Sequence, residues 1–144
     1  MKINSSKLGV EIEYKEDDLI TFISPIPGFP DLNDFLLLSD SNYEPYLLLQ
    51  SVEDPNICFI LVDTLSFFPT YDPNISRRDL KMLAVNDKKE IKLLSIVVIR
   101  TGESIPTTNL RAPLIVNFDK KLAKQVILED DTYEIKTPLF SKGE

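Results

Sequence analysis

Apolar residues recur along this chain in short runs and in alternation, broken at short intervals by proline, glycine, asparagine and aspartate. Leu8, Val10, Ile12 and Tyr14 alternate with Gly9, Glu11 and Glu13. That period of two predicts a half-buried strand with its carboxylates outward. Leu19-Ile20-Thr21-Phe22-Ile23 predicts a second strand, which runs into Ser24-Pro25-Ile26-Pro27-Gly28-Phe29-Pro30-Asp31. Three prolines there remove backbone donors and the glycine permits a tight turn, so this stretch is a loop. Its Ile26 and Phe29 either plug the end of a barrel or face a partner. Phe35 to Leu38, Tyr46 to Gln50 and Ile57 to Val62 are three further strands. The short link from Ser51 to Asn56 predicts a hairpin between the last two.

A helix is predicted from Ser76 to Ala84. Ser76 caps it, Asp79 suits its positive end, and Leu80, Leu83 and Ala84 share one face. The second half returns to strands. Ile91 to Arg100 is long and apolar, residues 102–108 form a loop, and Leu114 to Phe118 follows Pro113, which is tolerated at a strand start. Asp119-Lys120-Lys121 turns the chain into Lys124 to Leu128. From Thr137 onward a short polar tail is expected to fray. The pattern predicts one all-β domain over residues 1–144, a small antiparallel β-barrel or rolled sheet with one short helix. Closure would also remove exposed strand edges.

At 144 residues, 43% hydrophobic and 27% charged, the chain can bury roughly 70% of its unfolded surface and fold without a metal or disulfide. No apolar run approaches the ~18 residues of a membrane helix. The first residues lack the apolar core of a secretory signal, which makes a cytoplasmic location the expectation. The single cysteine, Cys58, lies in an apolar run and reads as a small core residue. The formal net charge of −7, from 23 acidic and 16 basic side chains, disfavours direct nucleic-acid binding and docking on anionic membranes. A basic protein partner matches it better.

Catalytic chemistry is hard to write from this sequence. There is no histidine, which removes the commonest general base and every imidazole metal site. One cysteine excludes thiolate zinc sites. The four glycines, at 9, 28, 102 and 143, are isolated and build no phosphate loop. Glu16-Asp17-Asp18, Glu53-Asp54 and Glu129-Asp130-Asp131 are carboxylate clusters without calcium-loop spacing, and they read as solvated turns. Arg77, Arg78 and Lys81 read as the exposed face of the helix. No enzyme, cofactor or metal site is therefore expected.

Three ordered segments add a resemblance. They are Leu49-Gln50-Ser51-Val52-Glu53-Asp54-Pro55 running on to Phe59-Ile60-Leu61-Val62-Asp63; Asn109-Leu110-Arg111-Ala112-Pro113-Leu114-Ile115-Val116-Asn117; and Gln125-Val126-Ile127-Leu128-Glu129-Asp130 with Tyr133, ending in Pro138-Leu139. Together with Pro27-Gly28-Phe29 and Phe67-Phe68-Pro69-Thr70-Tyr71, they resemble the flagellar assembly factor family FliW over nearly the whole chain. Pro25, Thr108 and Thr137 depart from the family pattern, which often has Gly, Ala and His there. The resemblance implies a small β-barrel without enzymatic activity. Its implied partners are flagellin and CsrA, an RNA-binding translational repressor that FliW inhibits allosterically until unsecreted flagellin takes FliW up. A direct RNA-binding barrel of the oligonucleotide-binding type is the alternative, and the charge balance speaks against it.

Candidate partner-binding residues are those that barrel packing leaves unexplained. Gln50, Ser51, Glu53 and Asp54 form one patch, with turn shaping as the competing role. Asn109 and Arg111 form another, where Asn109 instead satisfies loop backbone groups. Phe29 is either a core plug or a contact. Glu129 and Asp130 are exposed charge or a contact. A monomer is expected.

Overall fold

The computed structural model describes residues 1–102 and 105–140. The chain begins with an antiparallel ribbon that the sequence pattern only half predicts. β1 (Lys2–Ser5) pairs with β2 (Val10–Glu13), turning through Gly9 at φ +67. β1 carries polar residues at alternate positions and has no run of strand formers. In β2, Val10 is 54% exposed. The ribbon lies outside the main sheet, so the alternation of Val10 and Ile12 faces no deep core.

The main sheet starts with β3 (Ile20–Phe22), β4 (Asp34–Ser39), β5 (Leu47–Ser51) and β6 (Cys58–Asp63), each antiparallel to the next. It continues through β7 (Lys92–Val98), β9 (Leu114–Asn117) and β10 (Leu122–Gln125). β6 pairs with β7, β7 with β9, and β9 with β10, all antiparallel. β10 then pairs with β3 in parallel and closes a seven-strand barrel. The all-β barrel is as expected, with this one parallel pair as the departure from a purely antiparallel sheet. β8 (Thr107–Thr108) takes the far half of the β7 edge, beyond the part that β9 uses.

Inside the barrel, Ile20, Phe22, Phe35, Leu49, Leu61, Leu94, Leu114 and Ala123 form one core. A second apolar layer lies outside it, where Leu80, Leu83, Val85, Leu93, Ile115, Val126 and Leu128 pack together. The helix that covers this layer is α2 (Arg77–Met82), and the Ser76 hydroxyl accepts the Asp79 N–H at 3.1 Å, as the cap predicts. Ala84 is the exception. It is exposed at φ +61, where the helix has already turned, and Val85 is buried in its place. A single-turn helix, α1 (Thr64–Phe67), follows β6 and was not predicted. The buried Thr64 hydroxyl at its start lies 2.6 Å from that of Ser95.

The segment expected to fray from Thr137 instead begins as a strand. β11 (Thr137–Pro138) pairs with β8, Leu139 is buried beside Val62 and Val97, and Phe140 meets Phe67 edge-on at 5.8 Å. Residues 141–144 lie outside the described residues, as do 103 and 104 of the loop expected over 102–108. Cys58 is half-buried, not fully enclosed, and burial pushes its thiol upward against the weaker pull of Lys7. Among the described residues no helix is long and apolar enough to cross a membrane.

Candidate functional site

The candidate residues divide by burial. Gln50 and Ser51 are fully enclosed, which corrects their reading as a contact patch. The Gln50 carbonyl oxygen accepts the Ser5 hydroxyl at 2.7 Å, and its amide nitrogen donates to the carbonyls of Ser51, Pro55 and Ile57. The Ser51 hydroxyl accepts the N–H groups of Glu53 and Asp54. These two side chains build the β5–β6 turn and fasten β1 to it. Asp54 accepts the Asn56 N–H at 3.0 Å within the same turn. Glu53 is exposed, yet one carboxylate oxygen is held by the N–H groups of Asn33 and Asp34 at 2.7 and 2.8 Å. Asn109 likewise accepts the N–H groups of Arg111 and Ala112.

The other candidates converge on the chain that follows β10. The Val126 N–H donates to the Pro113 carbonyl and the Leu128 N–H to that of Arg111. Residues 126–128 thus extend the ladder, with Val126 and Leu128 turned into the outer apolar layer and Ile127 turned away from it, 67% exposed. Ile127 borders two concavities at once. On one side is the barrel mouth, a depression of about 290 Å³ edged by Ile26, Pro27, Phe29, Phe59 and Ile96, with Asn109 and Gln125 at its rim. Phe29 is half-buried and meets Phe59 edge-on at 5.1 Å. It therefore both plugs the barrel and lines the depression.

On the other side is a cleft of about 480 Å³ between residues 126–130 and the chain leading into α2. Asp72, Asp79, Glu129 and Asp130 line it, with Tyr133. Lys88 bonds Asp72 and Lys124 bonds Asp79 at 2.6 Å. Asp130 accepts both the hydroxyl and the N–H of Thr132, and those bonds, with the nearby Arg111 charge, hold its carboxyl below the usual range. Arg111 also reaches the Leu128 carbonyl at 3.5 Å. The Tyr71 phenol donates to the Leu110 carbonyl at 2.6 Å, and burial, with Tyr133 beside it, pushes that phenol well upward. Among the described residues no cluster of metal-ligating side chains is present. The sequence pattern puts Ile127 inside a strand and gives it no separate role. Three successive apolar residues, Val126-Ile127-Leu128, cannot all face one side of a strand, and that was the available signal.

Comparison with known proteins decides the family. The family model described as FliW protein matches residues 2–139. The chain belongs to the FliW family. The flagellar assembly factor FliW of Bdellovibrio bacteriovorus is 35% identical over 142 residues, covering 99% of this chain and 81% of that protein. That of Thermosipho africanus is 39% identical over 140 residues, covering 96% and 95%. A crystal structure of the flagellar assembly factor FliW superposes with a TM-score of 0.91 at 34% identity, covering both chains completely. Within this FliW barrel the departing Thr108 is a buried strand residue, not a loop residue. Its hydroxyl donates to the Ile96 carbonyl at 2.7 Å and ties β8 to β7.

Proposed function

We propose that this chain is a non-enzymatic cytoplasmic regulator of flagellin synthesis. It binds the translational repressor CsrA and holds it inactive through an allosteric contact. Unsecreted flagellin then takes the chain up, and the released CsrA represses. The family match over residues 2–139 carries this reading. The net charge of −7 supports it, because an RNA-binding repressor is expected to be basic and complementary fields speed encounter. Unassembled flagellin offers an apolar helical face, which an apolar groove can receive.

The test is calorimetric titration of the chain with CsrA and with flagellin from the same organism. Both are expected to bind at micromolar concentration or below, and flagellin added to the preformed complex is expected to release CsrA. Absence of heat with both proteins would sink the proposal.

A further inference from the structure

The barrel's one parallel seam ends for a reason written in the sequence. Along it the Thr21 N–H donates to the Lys121 carbonyl at 2.9 Å and the Ile23 N–H to the Ala123 carbonyl at 3.0 Å. The next donors in this register would be residues 25 and 27, facing Gln125 and Ile127. Both are prolines and have no N–H to give. The chain peels away at Pro25, and among the described residues no strand pairs with the edge of residues 125–129. The Ile127 and Glu129 N–H groups make no hydrogen bond to any described residue, whereas those of Val126 and Leu128 are bonded on the opposite side.

Such an edge accepts an additional strand. Here it has room on both faces. The barrel mouth, with Phe29, Phe59 and Ile96, lies to one side, and the cleft with Glu129 and Asp130 lies to the other. Side chains of an added strand would alternate between these two environments. Apolar ones would enter the mouth. Those entering the cleft would meet carboxylates, of which Asp72 and Asp79 already have lysine partners and Glu129 has none among the described residues.

We infer that the 125–129 edge is a strand-addition site for an extended segment of a partner protein that alternates apolar and basic residues. This rests on the reading of the chain as a protein-binding regulator, but not on the identity of either partner. The test therefore uses a synthetic probe, a capped peptide of about ten residues alternating valine and lysine, with a valine–glutamate peptide as control. Amide hydrogen exchange of the full chain is followed residue by residue. The lysine peptide is expected to slow exchange at Ile127 and Glu129, and the glutamate peptide to leave both unchanged.

Ile127→Pro removes an N–H that bonds no described residue, and it should weaken the lysine peptide about tenfold or more. Ile127→Ala keeps the N–H and should retain protection at Glu129. Failure of the lysine peptide to protect these two amides would overturn the inference. So would equal binding to wild type and Ile127→Pro when both show the same unfolding midpoint. Because the exchange readout on the wild-type chain needs no variant, a misfolded proline variant leaves the test intact. The outcome with CsrA or flagellin judges the proposed function separately.

Discussion

Gln50 has no exposed surface, and both polar atoms of its amide are engaged. Its partners come from three places, β1, the end of β5 and the β5–β6 turn, so one side chain joins segments that are far apart in sequence. A buried donor or acceptor left without a partner costs about 1–3 kcal/mol. Gln50→Leu keeps the volume but leaves the Ser5 hydroxyl without its acceptor. Its urea midpoint is expected to fall by an amount equal to about 1–3 kcal/mol at unchanged slope. Calorimetric affinity for the proposed partners should stay within about twofold under conditions where the variant is folded. A normal urea midpoint would show that the turn does not depend on this amide. Within sequence alone, Gln50-Ser51-Val52-Glu53-Asp54-Pro55 stood out as a motif, but motif strength does not separate a contact from a scaffold. Only burial does that, and it assigns Gln50 and Ser51 to the scaffold.

An ion pair with little solvent around it reinforces the apolar packing of α2 on the barrel. The Asp79 and Lys124 side chains are only 15% and 18% exposed and meet at 2.6 Å, linking the helix to β10. Burial raises the Asp79 carboxyl, but hydrogen bonds from Lys124 and Ser76, with the charges of Lys124 and Arg78, bring it below the ordinary 3.8. A folded-state value below the unfolded one contributes stability that is present above the unfolded value and is lost as pH falls through the folded value. Wild type and Asp79→Asn should therefore differ most in unfolding free energy near neutral pH. The gap should narrow as pH drops below 3.8. A gap independent of pH would mean that the carboxylate charge is not what Asp79 contributes. The helix itself was legible, since Ser76 and Asp79 are local signals and their bond is local. Ala84 was misplaced because periodicity says nothing about where the helix stops. The β5–β6 hairpin was legible for a similar reason, its Pro55-Asn56 turn lying between two apolar runs. β11 is two residues long and exists through its register with β8, which no local pattern encodes. The β3–β10 seam joins residues about a hundred positions apart. The free edge at Ile127 depends on that seam, so the candidate site could be read from sequence only as scattered residues.

At the scale of the whole molecule, negative charge acts in two ways that can be measured apart. The net charge of −7 gives a field that draws in a basic partner from a distance, whichever face binds. Glu129 and Asp130 line the cleft beside the open edge, whereas Glu16 and Asp17 line a separate, more open concavity with Lys120 and Lys121. Raising ionic strength from about 0.1 M to about 1 M shortens the screening length from about 10 Å to about 3 Å. The association rate with the proposed partner, CsrA, should then fall, with a smaller change in dissociation, because exposed long-range pairs are screened first. Reversing Glu16 and Asp17 to lysine should slow association and leave dissociation near its wild-type rate. Reversing Glu129 and Asp130 should slow association by a similar amount and also speed dissociation about tenfold or more, since contacts within an interface act mainly on the off-rate. Stopped-flow association and surface-based dissociation on the two double variants separate these terms. If both pairs change only the association rate, and equally, the carboxylates beside the 125–129 edge serve steering alone and the proposed CsrA contact does not include this edge.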